Sequence, residues 1–106
     1  MSAYNPNEVT RNEKVIVTNS SSSIMSPRWD DKGRTSFVIR NTSSVVGEEI
    51  TIAIGENSAV AQEGILLKQG ETYAENTDSG FVCWQGRITA ICNNASAIQN
   101  LSIFER

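Results

Sequence analysis

Glu49-Ile50-Thr51-Ile52-Ala53-Ile54-Gly55 decides the fold: isoleucine recurs at every second position, with Thr51 and Ala53 between. A period of two sends alternate side chains to opposite faces of a pleated strand. Ile50, Ile52 and Ile54 therefore share one face and the smaller groups share the other. β-Branched side chains are stiff at χ1 and pack well on such a surface, which reinforces the strand assignment. Upstream, Arg34-Thr35-Ser36-Phe37-Val38-Ile39-Arg40-Asn41 repeats the pattern, Phe37 and Ile39 pointing one way and Ser36, Val38 and Arg40 the other.

Working outward, Gly64 to Gly70 reads as a short apolar strand that ends in a glycine turn, and Glu71 to Asn76 as a largely polar strand. Phe81 to Trp84 supplies further strand material before a kink at Gln85-Gly86. Arg87 to Cys92 follows, with Ile88, Ala90 and Cys92 on one face, and Gln99 to Glu105 closes the chain with Leu101 and Ile103 inward. Nearer the start, Lys14 to Asn19 is a β-branched run, interrupted by Ser20 to Ser23 before Ile24 and Met25. Pro27 to Gly33 is a loop, Asn41 to Ser44 and Asn93 to Ser96 are turns, and Gly55 and Gly64 bound the short segment Ala59-Val60-Ala61. No segment carries an apolar stripe of helical period. The expected fold class is all-β: a small antiparallel β-sandwich, jelly-roll-like, of about eight short strands, with an immunoglobulin-like or up-and-down arrangement as the alternative.

At 106 residues the chain has room for one core. Residues 1 to 13 hold almost no large apolar side chain after Tyr4 and are rich in Asn and charge, so they are expected to form an extended N-terminal arm. Residues 14 to 106 then make the single sandwich domain. The first residues lack both a basic n-region and an apolar h-region, and no apolar run approaches the roughly 20 residues of a membrane span, so synthesis in a cytoplasm and no membrane partner are expected.

Composition restricts the chemistry. The sequence contains no histidine, which removes Ser-His-Asp and Cys-His nucleophiles, imidazole acid/base work and every metal site that needs an imidazole. Nine Lys and Arg against twelve Asp and Glu, a net charge of −3, fit a phosphate-binding footprint poorly, so nucleic acid is not an expected ligand. Cys83 and Cys92 are too few for a four-cysteine zinc site and read as buried free thiols in a reducing compartment.

The carboxylates Asp30-Asp31, Glu48-Glu49 and Glu75 with Asp78 fall in turns where water solvates them, whereas a general acid needs burial or a like-charged neighbour. Asp30, Asp31 and Asp78 offer at most a remote set of oxygens for calcium. Gly64 with Gly70 and Gly80 with Gly86 match no phosphate-loop spacing, and Ser20 to Ser23 has no base nearer than Lys14. No catalytic residue and no cofactor are expected. The aromatics Trp29, Tyr73, Phe81 and Trp84, in loops or beside turns, are suited either to capping the open ends of the sandwich or to meeting a sugar or a protein partner.

Read together, Arg34 to Asn41, Ile50 to Gly55, Gly64 to Glu71, Trp84 to Ile91 and Leu101 to Glu105 resemble the ordered pattern of small β-sandwich virion proteins of bacteriophages, over about residues 34 to 106. The resemblance implies a non-enzymatic capsid decoration or cementing protein, or a small spike or fibre component. Such a protein would be made in the host cytoplasm, located in the virion and assembled as a homo-oligomer on the phage major capsid protein or other virion proteins. The expected contact residues are Tyr4, Asn5 and Arg11 of the arm together with Trp29. The alternative is a receptor- or glycan-binding module in which Trp29, Tyr73 and Trp84 form a stacking platform. A carboxylate-based glycan hydrolase would need a buried carboxyl pair, and none stands out in the sequence.

Overall fold

The computed structural model describes residues 11–27, 34–43, 49–55, 57–76, 83–92 and 99–106. Among these residues the chain forms eight strands: β1 (Arg11–Val17), β2 (Ser22–Met25), β3 (Ser36–Asn41), β4 (Glu49–Ile54), β5 (Ile65–Lys68), β6 (Thr72–Asn76), β7 (Ile88–Cys92) and β8 (Gln99–Glu105). They make two four-stranded sheets of order β1-β8-β3-β6 and β2-β7-β4-β5. Every pairing is antiparallel, and β1 pairs with β8, β2 with β7, β3 with β6 and β4 with β5. Each strand thus finds the strand lying equally far from the other end of the chain, as if one long hairpin had been rolled into two sheets. That is the jelly-roll wrap, and the small antiparallel β-sandwich of about eight strands expected from the sequence is the one observed.

The core lies between the sheets and is built from the predicted inward positions. Phe37 and Ile39 of β3, Ile50 and Ile52 of β4, Ile88, Ala90 and Cys92 of β7, and Leu101 and Ile103 of β8 are all buried. Each of the larger side chains contributes about 1.5–3 kcal/mol by leaving water. In β2 the register shifts between Ser23 and Met25, so the successive residues Ile24 and Met25 are both buried, an outcome that strict alternation does not predict. Cys83 and Cys92 are buried free thiols.

Three expectations need correction. Arg11, Asn12 and Glu13, assigned above to the arm, belong to β1, where they pair with Glu105, Phe104 and Ile103; their backbone groups are taken up by β8 despite their polar side chains. Residues 1–10 lie outside the described residues. Cys83 and Trp84 lie in irregular backbone rather than in a strand, and Phe81 lies outside the described residues. Glu49 and Glu75 stand in strands, β4 and β6, where the strand pattern put them, but they are half-buried rather than solvated by water.

The outer face of the β2-β7-β4-β5 sheet is roofed by the chain itself. Ala59 N–H donates to Thr89 Oγ1 at 2.9 Å and to Ser21 Oγ at 3.1 Å, and Gln62 N–H donates to Thr51 Oγ1 at 3.0 Å. Thr51 and Thr89 are buried beneath this segment. Gly64 ends it with φ +144°, so close to β4 that a Cβ there would lie 2.6 Å from Ile52 O. The other sheet has no such roof among the described residues.

Candidate functional site

Strand alternation carries Leu101 and Ile103 inward and continues to Glu105, so the carboxylate at the end of β8 is buried, with 5% of its surface exposed. A buried carboxylate needs a cation and hydrogen bonds to offset its lost hydration. Arg34, just before β3, supplies both. Its Nε donates to Glu105 Oε2 at 2.6 Å, Nη1 to Trp84 O at 2.6 Å and Gly86 O at 3.2 Å, and Nη2 to Ser26 O at 2.8 Å. The guanidinium also lies 5.8 Å from the centre of the Phe37 ring. Gln85 completes the cluster: its Oε1 accepts from Arg34 N–H, and its Nε2 donates to Arg34 O at 2.6 Å and Cys83 O at 2.8 Å. The carbonyls of Cys83, Trp84 and Gly86 are therefore satisfied through side chains rather than a strand ladder.

Three of the residues expected to meet a partner are drawn into this cluster. Arg11 Nη1 reaches Glu105 Oε1 at 3.5 Å, its Nη2 donates to Ile24 O at 3.1 Å, and its Nε donates to Glu13 Oε2 at 2.6 Å. Tyr73 tilts against Phe37 with ring centres 5.9 Å apart, and its hydroxyl donates to Glu75 Oε2 at 2.5 Å. Glu75 Oε1 accepts from Trp84 N–H at 2.9 Å, while Trp84 Nε1 donates to Arg87 O at 3.0 Å. Gly86 sits against the Trp84 ring so closely that a Cβ would overlap it. Arg11, Glu105, Arg34, Trp84, Glu75 and Tyr73 thus form one connected chain of hydrogen bonds. Tyr4, Asn5 and Trp29 lie outside the described residues.

The electrostatics follow from the packing. Burial, then the hydrogen bond and charge of Glu75, push the Tyr73 hydroxyl up to about 12. Burial also pushes the Cys83 thiol up, as do the charges of Glu75 and Glu105, against an opposing pull from Arg34. Both oxygens of Glu75 and both of Glu105 accept hydrogen bonds that hold the fold together. Chemically this arrangement is a clamp: it joins the residues before β7 and after β2 to β8. Glu105 and Arg34 were not singled out from the sequence, although the parity of Leu101, Ile103 and Glu105 carries the signal.

The outer face of the β1-β8-β3-β6 sheet is the second candidate. Cross-strand register aligns Asn12, Phe104, Val38 and Ala74 in one row and Lys14, Ser102, Arg40 and Thr72 in the next, with Ile16 beside Asn100 beyond. Val38 and Phe104 are half-buried, whereas Lys14, Arg40, Thr72, Ala74 and Ser102 are exposed and Ile16 is 56% exposed. No outward-facing strand residue of this sheet is a carboxylate. Arg40 and Ser102 also rim a shallow depression with Asn41, Thr42, Ser43, Gln69 and Gly70. Compared with known protein families and with curated proteins, the sequence matches none.

Proposed function

We propose that the chain is a non-enzymatic structural subunit of a bacteriophage particle, a decoration or cementing protein that assembles as an oligomer on the outside of the capsid. The observation that carries this reading is the contrast between the sandwich's outer faces: one is roofed by residues 59–64, and the other, among the described residues, is left uncovered across four strands. The open face suits docking on a flat, repeated surface. Contacts that are weak one at a time add up on a lattice through effective concentration. The jelly-roll wrap agrees with the reading, since it recurs among viral capsid domains, although it also recurs among lectins. The stacking-platform alternative draws less support, because the rings themselves are taken up within the protein, Tyr73 against Phe37 and Trp84 against Gly86.

The test is to measure the mass of the purified protein by light scattering and then to mix it with undecorated phage particles and sediment them. A defined oligomer that co-sediments at fixed stoichiometry is the expected result. Protein that stays monomeric and in the supernatant overturns the proposal and turns attention to host surface sugars. A variant lacking residues 1–10 separates the contribution of Tyr4 and Asn5 from that of the sheet face.

A further inference from the structure

The open sheet face has a chemistry that names its partner more closely, and this inference deepens the docking reading given above. The chain carries a net charge of −3, yet this face presents Lys14 and Arg40 and no outward carboxylate on its strands. Lys14 lies opposite Ser102, and Ser102 lies opposite Arg40, so the two cations stand two strand spacings apart, about 10 Å. Apolar groups flank them along the strands, with Phe104, Val38 and Ala74 to one side and Ile16 to the other.

We infer that this face docks an acidic protein surface, one whose carboxylates meet Lys14 and Arg40 while its apolar side chains cover Ile16 and the Phe104 row. Charge complementarity selects that occupant. A second copy meeting this face through a two-fold axis would set Lys14 and Arg40 against their own counterparts with no intervening carboxylate, a like-charge contact that disfavours association. A sulfated polysaccharide would satisfy the cations but leave Ile16 and the row of Phe104, Val38 and Ala74 unmatched. The depression beside Arg40 gives room for a partner carboxylate to approach the guanidinium from the side of Thr42 and Gln69.

The experiment is an NMR titration of the isotope-labelled full chain at low ionic strength with a random copolymer of glutamate and tyrosine, beside a parallel titration with heparin. Amide shifts from the copolymer are expected to cluster on Lys14, Ile16, Arg40, Ser102 and Phe104 and to fade as salt is added. The double variant Lys14→Glu/Arg40→Glu is expected to bind about tenfold more weakly or worse, whereas Lys68→Glu, on the other sheet opposite Glu49, leaves binding unchanged. Copolymer shifts that fall elsewhere, equal shifts at lower heparin concentration, or concentration-dependent shifts on this face without any probe each overturn the inference. Its failure is separable from failure of the virion reading. Double-variant protein that decorates particles as fully as the intact chain removes the face but keeps the virion role, while copolymer binding without particle binding does the reverse.

Discussion

The two sheets are built by the same alternation and yet end in opposite outer faces. On the β2-β7-β4-β5 sheet the outward residues Thr51 and Thr89 are buried, because their hydroxyls accept the backbone N–H groups of Gln62 and Ala59. On the β1-β8-β3-β6 sheet the corresponding positions hold Lys14, Arg40 and Ser102, which remain exposed. A loop can be buried only if its backbone polar groups find partners. Short hydroxyls on the strands supply those partners, while long cationic side chains keep their heads in water and hold other groups off. The difference teaches that outward residues of a sandwich decide whether a face closes on its own chain or stays available to another.

The largest expected effect strikes the seam shared by both sheets. Arg34 bonds Ser26 after β2 and Trp84 and Gly86 before β7, and through Glu105 it holds β8. Replacing it, Arg34→Met, leaves Glu105 buried with Arg11, at 3.5 Å, as its one remaining cation among the described residues and is expected to cost about 3–5 kcal/mol. The double variant Arg34→Met/Glu105→Leu is expected to regain much of that loss, since it removes the stranded charge. Urea denaturation measures both. Unfolding of one sheet before the other in the single variant would break the picture of two faces on one cooperative core.

Next in size is the roof itself. Gly64→Ala combines a left-handed backbone with an approach of 2.6 Å to Ile52 O, and a loss of about 2 kcal/mol is expected. Hydrogen exchange at Ala59 and Gln62 is expected to quicken, while the amides of β3 and β8 keep their protection. Faster exchange in both sheets alike would mean that the roof supports the whole molecule rather than one face.

These effects show where the sequence was legible. The isoleucines of β4 and the Phe37–Ile39 pair revealed strand, face and core because alternation is a local signal. Pairing of β1 with β8 is not local: Arg11 and Glu105 meet from the two ends of the chain, and nothing between them announces it. The same separation hid the clamp, whose members Arg34, Trp84 and Glu105 lie on three distant segments. Arg11, Tyr73 and Trp84 were noticed for their size and charge, but their partners Glu105 and Glu75 decide what they do, and those partners follow only from the fold. Glu75 reads as a solvated carboxylate beside Asp78 until β6 places it between the Tyr73 hydroxyl and the Trp84 amide.

A smaller effect, confined to alkaline solution, separates the inner from the outer side of one strand. Tyr73 faces inward on β6 and ionises at about 12, above its ordinary value, because burial and then Glu75 disfavour the phenolate. The folded state holds this proton more tightly than the unfolded chain does. The associated stability is therefore intact below pH 10 and declines as pH rises toward 12. Absorbance titration is expected to resolve a late tyrosine that Tyr73→Phe removes, whereas Ala74→Ser, on the outer side of the strand, leaves the curve unchanged. If the tyrosine that Tyr73→Phe removes titrates near 10 instead, the contact with Glu75 is refuted.

The smallest expected effect is the one that sharpens the comparison most. Lys14 and Arg40 are exposed, and each lies opposite Ser102 rather than an acid, so no described ion pair is lost when they are reversed to glutamate. The stability of Lys14→Glu/Arg40→Glu is expected to stay within about 0.5 kcal/mol of the parent, measured by thermal and urea unfolding. On the roofed face a comparable change, Thr89→Glu, would put a charge where a hydroxyl accepts the Ala59 N–H and is expected to destabilise by several times that amount. Residues that can be reversed in charge without harm to folding are not held in place by the fold. If the double variant proved as damaging as Thr89→Glu, Lys14 and Arg40 would be part of the structure itself, and the open face would lose its claim to be a surface kept for a partner.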